Sequence, residues 1–140
     1  MNRFRRLRKT ESIRSLIRET QLDHEDVVQP FFVVEGKNKK ESIESMPGIN
    51  RYSIELLLKE IEAYQKLGGK AGLFFGIPKK KNHLATEAYS SSGIVPKAIK
   101  AIKKEFPKFI VITDVCLCAY TDHGHCGIIE NHEIVNDKTI

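Results

Sequence analysis

The chain has 140 residues, of which 41% are hydrophobic and 29% charged, values that suit one folded domain and exclude wholesale disorder. No apolar run approaches the roughly 20 residues of a membrane span, and no secretory signal is present, so the sequence predicts no membrane association. Three cysteines cannot pair completely, which favours a reducing, cytoplasmic location. The net charge of +5 is concentrated in residues 1–20, which hold seven basic and two acidic residues.

Residues 1–26 are interpreted as a basic N-terminal arm. Its basic residues are Arg3, Arg5, Arg6, Arg8, Lys9, Arg14 and Arg18. Such an arm could neutralise the phosphates of a nucleic acid, but no aromatic residue beyond Phe4 is interleaved with them, and the rest of the chain is neutral. We therefore expect no nucleic-acid partner. The favoured interpretation is an arm that packs on a neighbouring subunit through Leu7, Ile13, Leu16 and Ile17.

Three runs rich in β-branched and aromatic residues predict buried strands at 27–34, 71–75 and 109–114. A polar loop is predicted over 37–45. Two segments with apolar residues at helical spacing separate the strands, the first capped by Ser53 and ended by Gly68 and Gly69, the second with Pro96 in its first turn and ending before Pro107.

Alternation of strand and helix at intervals of about 40 residues indicates an α/β fold around a parallel sheet. Side chains that carry chemistry in such folds gather at the carboxyl ends of the strands. The segment from Asn136 to Ile140 resembles the start of a helix, with Asn136 or Asp137 as its cap, but the rest of that helix is missing. The chain is therefore interpreted as the first part of a longer polypeptide, with an incomplete domain over 27–140.

All three cysteines, Cys116, Cys118 and Cys126, lie within eleven residues, directly after the strand that ends at Asp114. Thiolates are strong zinc ligands, and three of them leave one position of a tetrahedral ion open for catalysis. If the strand geometry continued, Asp114, Cys116 and Cys118 would share one face. Two alternatives remain: a closed structural site with His123 or His125 as fourth ligand, or three reduced cysteines without metal.

The segment 114–127 resembles the zinc signature of the porphobilinogen synthases, also called delta-aminolevulinic acid dehydratases. Other stretches that resemble this family are 5–8, 18–20, 30–33, 45–48, 75–78 and 98–100. One stretch departs from it: where the family usually has K-D-x-x-G-S-E-A, residues 81–88 carry Asn82, Ala85 and Thr86 in place of Asp, Gly and Ser.

The resemblance implies a (β/α)8 TIM barrel, of which this chain holds the N-terminal arm and about three βα units. It implies a lyase that condenses two molecules of 5-aminolevulinate into porphobilinogen in haem biosynthesis, usually as a homo-octamer joined through the arm. Zn²⁺ would be held by Cys116, Cys118 and Cys126, with Asp114 in the same pocket as a catalytic residue. The histidine that matches His125 is linked to a second zinc in some members.

The family's two Schiff-base lysines belong to later strands, and nothing in this chain matches them. An allosteric Mg²⁺ site would also lie outside it. The 140 residues alone are therefore expected to be inactive. The alternative to a partial enzyme is an inactive zinc-binding fragment or remnant of one.

Overall fold

The computed structural model describes residues 5–140, so that Arg3 and Phe4 of the predicted arm lie outside the described part. Over residues 5–27 nearly every side chain is exposed, and regular structure is limited to two short 3-10 helices and α1 (Glu11–Leu16). Thr10 caps α1 by accepting a hydrogen bond from the Ile13 amide at 3.3 Å. Leu7 and Leu16 are 60% and 85% exposed, so the arm buries little of its apolar surface within this chain.

A five-stranded sheet organises the remainder of the chain. At its centre β1 (Val28–Val34) pairs in parallel with β4 (Ala71–Ile77) over its whole length. The parallel strand β5 (Ile110–Thr113) follows β4 and forms one edge of the sheet. On the other side of β1, β3 (Asn50–Tyr52) is parallel to it and β2 (Lys40–Ser42) is antiparallel to β3. The three predicted strands and the parallel arrangement are confirmed.

The prediction of a loop over 37–45 is wrong, because β2 lies within it. The strands β2 and β3 are three residues long, and β2 is exposed throughout. Such short segments carry no alternating pattern, and they become strands through their partners, since β3 pairs with β1 and β2 pairs with β3.

Two helices cover one face of the sheet. Helix α2 (Ile54–Lys66) begins after Ser53 and ends before Gly68, which has a φ of +96°. Helix α3 (Ile94–Glu105) contains Pro96 in its first turn, as predicted. Ser53 occupies the N-cap position of α2, but its hydroxyl accepts from the Lys39 amide at 3.0 Å instead of capping the helix.

The core lies between these helices and the sheet. Phe31 of β1 stacks on Phe74 of β4 with ring centroids 5.3 Å apart. Further buried members of the same cluster are Val33, Tyr52, Leu57, Ile61, Ile94, Ala98, Ile102 and Phe109. The opposite face of the sheet has no helix on it within the described residues, and Ile110 and Ile112 of β5 stay 53% and 39% exposed there.

The last part of the chain contains a small hairpin that the sequence pattern did not reveal. Strands β6 (Ile129–Glu130) and β7 (Glu133–Ile134) pair in antiparallel fashion. Helix α4 (Asn136–Thr139) follows, with Val135 at its N-cap, so the prediction of Asn136 or Asp137 as the cap is wrong by one or two positions. No helix within residues 5–140 has the length and apolar character needed to cross a bilayer.

Candidate metal centre

The cysteine segment leaves the sheet at the carboxyl end of β5. Strand β5 ends at Thr113, and the chain turns at Leu117, whose carbonyl accepts hydrogen bonds from the amides of Tyr120 at 2.8 Å and Thr121 at 3.0 Å. The strand geometry does not continue to Cys118, so the condition under which Asp114, Cys116 and Cys118 were expected to share one face is not met. Cys118 reaches the site through a turn.

After the turn, the chain bends back and brings the third cysteine, Cys126, close to the other two. Gly124, with a φ of +76°, lies in the bend that leads to Cys126. The Sγ atoms of Cys116, Cys118 and Cys126 all lie within 4.8 Å of one another. Since a zinc–thiolate bond is about 2.3 Å, sulfurs at three corners of a tetrahedron are about 3.8 Å apart. The three thiols therefore fit a single zinc ion after a small contraction.

A fourth protein ligand is not part of this arrangement. Among residues 5–140, no histidine or carboxylate joins the three sulfurs within that distance. The imidazoles of His123 and His125 instead stack on each other with centroids 5.9 Å apart, and His123 Nδ1 accepts a hydrogen bond from the His125 amide at 3.2 Å. Of the two metal arrangements considered from the sequence, the geometry favours the one with an open position over a closed structural site.

The thiols of Cys126 and Cys118 differ in how easily they lose a proton. The Leu117 amide donates to Cys126 Sγ at 3.1 Å and lowers the pKa of that thiol, because the hydrogen bond stabilises the thiolate. A hydrogen bond between the thiols of Cys118 and Cys116 raises the pKa of Cys118 to about 11. Metal binding must displace the Cys118 proton, so affinity for a metal ion will rise with pH.

Next to Cys116 lies a cavity of about 350 Å³, bounded by α3, the end of β5 and the loop that follows β4. Asp114 and Cys116 line it together with Tyr120 and Glu87. Burial, followed by the charge of Asp114, raises the pKa of Tyr120, so the phenol stays protonated beside the carboxylate. The cavity thus combines two carboxylates, a phenol and one candidate metal ligand.

The loop that departs from the family pattern is held in place by hydrogen bonds in this chain. The Asn82 amide group donates to Thr86 Oγ1 at 2.7 Å and accepts from the Thr86 amide at 3.1 Å. Ala85 is buried and adopts a left-handed conformation with a φ of +49°, where the family usually has glycine. The backbone N–H of Asn82 donates to the Tyr120 carbonyl at 3.3 Å, which joins this loop to the cysteine segment.

Of the predicted site residues, the structure brings together the three cysteines and places Asp114 in the adjoining cavity. Tyr120 and Glu87, which also line this cavity, were not predicted. Tyr120 lies inside the cysteine motif, so the motif itself was the available signal. Glu87 belongs to a loop whose position depends on the fold, and nothing in its local sequence indicated a role.

These features define the class of the protein: an α/β protein with three clustered cysteines, a candidate metal site, and an adjoining cavity at the carboxyl end of its parallel strands. A sequence profile described as delta-aminolevulinic acid dehydratase matches residues 1–140. The chain therefore belongs to the delta-aminolevulinic acid dehydratase family.

Curated relatives support this assignment along the whole chain. The delta-aminolevulinic acid dehydratase of Methanothermus sociabilis is 52% identical over 138 residues, which are 99% of this chain and 43% of the relative. That of Helicobacter pylori is 51% identical over 139 residues, with the same two coverages. The chain thus spans less than half the length of these relatives and matches them at up to about half of its positions.

A solved structure agrees with the fold. The delta-aminolevulinic acid dehydratase (porphobilinogen synthase) of Toxoplasma gondii, in complex with the reaction product porphobilinogen, superposes with a TM-score of 0.92 at 36% identity. The match covers 99% of this chain and 40% of that one. The predicted α/β class is confirmed, and the chain forms part of a (β/α)8 barrel.

Proposed function

We propose that this chain supplies the arm, the first strands and the zinc site of a delta-aminolevulinic acid dehydratase, which condenses two molecules of 5-aminolevulinate into porphobilinogen. The observation that carries this proposal is the approach of three cysteine sulfurs to within 4.8 Å beside a cavity lined by Asp114. Bound at Cys116, Cys118 and Cys126, Zn²⁺ would supply Lewis-acid chemistry at its open position.

Asp114 is proposed to hold the amino group of a substrate molecule. Its carboxylate lines a cavity whose α3 side is formed by Val95, Pro96 and Ile99, and such apolar walls strengthen its attraction for an ammonium group. Tyr120 faces the same cavity with a phenol that remains a hydrogen-bond donor. In this proposal the Schiff-base lysines come from strands that follow those of this chain.

The proposed partners follow from the arm. The exposed Leu7, Leu16 and Ile17 support packing on a neighbouring subunit, in a homo-oligomer that we propose is an octamer. The net positive charge is confined to residues 1–20 and the rest of the chain is neutral, which argues against a nucleic-acid partner. Three free cysteines in the described structure support a reducing, cytoplasmic location.

The second candidate is a zinc-binding fragment without turnover. This candidate describes the 140 residues acting alone, which span 43% of the length of the first relatives. A fragment of this kind would bind metal through the same three cysteines but would lack the groups that anchor the substrates.

A chimera separates the two candidates. Residues 1–140 replace the matching part of the Helicobacter pylori relative, and porphobilinogen formation is assayed with and without zinc. We expect zinc-dependent product formation, and a fall of at least about 100-fold on Asp114→Asn because the carboxylate contacts the substrate. The matched control is Asp122→Asn, an exposed carboxylate outside the cavity. A folded chimera that binds zinc but forms no product would favour the fragment.

A further inference from the structure

Thr121 is buried in a segment where most neighbouring side chains are exposed or half-buried. It is 1% exposed, and among residues 5–140 only Ser53 and Thr121 are buried polar residues. A buried hydroxyl is retained at little cost only when it has a hydrogen-bond partner. The hydrogen-bond partners of the Thr121 hydroxyl therefore indicate what this residue does in the fold.

The Thr121 hydroxyl joins the two halves of the cysteine segment. It donates to the His125 carbonyl at 2.9 Å, and the Cys118 carbonyl lies 3.5 Å from the same oxygen. One of these carbonyls belongs to a cysteine of the site, and the other directly precedes Cys126. The amide of Thr121 donates to the Leu117 carbonyl at 3.0 Å, which fixes the residue on the turn.

Two further hydrogen bonds hold the segment around Cys126 near the turn at Leu117. The Gly127 amide donates to the same His125 carbonyl at 3.1 Å, and Cys126 Sγ receives the Leu117 amide. The His125 carbonyl thus has two donors, of which the Thr121 hydroxyl is the one that comes from the opposite side of the loop. Without it, the turn and the segment that returns to Cys126 would be linked only through the Cys126 sulfur, which receives the Leu117 amide and hydrogen bonds from Cys116 and Cys118.

We propose that Thr121 is a positioning residue for the metal site: its hydroxyl sets the distance between the turn that carries Cys118 and the segment that carries Cys126. The three sulfurs then face one point before a metal ion arrives, which removes an ordering cost from binding. This inference rests on the metal site proposed above and adds to it a residue that does not touch the ion.

The test compares cobalt(II) binding by variants of the 140-residue chain under reducing conditions. Thr121→Val keeps the shape of the side chain and removes the hydroxyl, whereas Thr121→Ser keeps the hydroxyl. Affinity and the thiolate-to-cobalt charge-transfer absorption per bound ion are both recorded. The matched control is Thr86→Val, which deletes a hydroxyl hydrogen-bonded to Asn82 at 2.7 Å but outside the cysteine segment.

We expect Thr121→Val to weaken cobalt binding about tenfold, the usual cost of losing a group that orients a ligand. Its charge-transfer absorption per ion should also fall, because Cys126 no longer reaches the ion in every molecule. Thr121→Ser should restore both readouts, and Thr86→Val should leave both unchanged. If Thr121→Val loses the helical circular-dichroism signal, Thr121→Ala takes its place and is judged by the same outcomes.

Two results would overturn the role of Thr121 alone: unchanged cobalt binding in Thr121→Val, or a loss that Thr121→Ser does not restore. Failure of the unaltered chain to bind cobalt would overturn the metal site itself, and the inference with it. Whether the unaltered chain binds cobalt therefore tells a failure of the Thr121 role from a failure of the metal site.

Discussion

Gly76 of β4 is the position at which an added methyl group should be most informative about how the cysteine segment is held. A Cβ built there would lie 2.4 Å from Val95 Cγ2 and 2.9 Å from the Tyr120 hydroxyl. Ordinary carbon contacts are about 3.5–4.0 Å, so the overlap with Val95 exceeds 1 Å. The Tyr120 hydroxyl can move, but the β-branched Val95 on α3 cannot rotate away.

We therefore expect Gly76→Ala to lower the free energy of unfolding by about 2 kcal/mol, within the range for overpacking. Val95→Ala removes two half-buried methyl groups and should cost about 1 kcal/mol. In the double variant the clash is relieved, so its cost should be about 1.5 kcal/mol instead of the additive 3. Urea unfolding measures each value as a shift of the midpoint at constant slope.

Additivity of the two substitutions within about 0.5 kcal/mol would refute this reasoning, because it would mean that Gly76 and Val95 do not share the contact. A second readout follows Tyr120. Its displacement toward the cavity in Gly76→Ala should change the near-ultraviolet absorption of the phenol, and Val95→Ala should reverse part of that change.

Three further predictions concern the thiols and the strained loop. Alkylation at pH 7.5 followed by peptide mass spectrometry should modify Cys126, which is exposed and has a lowered pKa, before Cys118, whose pKa is about 11; equal rates at these two thiols would contradict the assigned hydrogen bonds. Added Zn²⁺ should protect Cys116 together with both of these, and a chelator should remove the protection; protection of only one or two thiols would argue against a shared ion. Ala85→Gly should change the free energy of unfolding by less than about 0.5 kcal/mol, because the relief of left-handed strain is offset by the greater entropy of the unfolded chain and the loss of a buried methyl group. Ala85→Val should lower the free energy of unfolding by more than about 2 kcal/mol; urea unfolding measures both changes.

The large elements were predictable because their signals are strong and local. The continuous apolar runs around Phe31, Phe74 and Val111 form the three parallel strands, and the spacing of Leu57 and Ile61 marks the buried side of α2. Strands β2 and β3 escaped prediction since they are too short to show an alternating pattern, and β3 takes its place by pairing with the distant β1. The two-residue strands of the last hairpin are likewise too short to leave a pattern.

The site was predicted in its composition but not in its geometry. Cysteine spacing was enough to nominate Cys116, Cys118 and Cys126, yet a periodic strand could not describe how Cys118 arrives. The turn at Leu117 depends on backbone hydrogen bonds that any residue type can form, so it leaves little trace in the sequence. The likeness of this segment to a known zinc signature supplied what spacing alone had left open.

The short span of the ligand set has a kinetic consequence. Cys116 and Cys126 are separated by a loop of about ten residues, which closes in roughly 10–100 ns in an unfolded chain. By contrast, β1 must find β4 across the whole of α2 and the strands before it, and non-local pairing of this kind is slow. During refolding the thiols therefore meet repeatedly before the sheet is complete, and dissolved metal or oxidant encounters them at that stage. The refolding yield should accordingly depend on whether metal or oxidant is present in the first milliseconds.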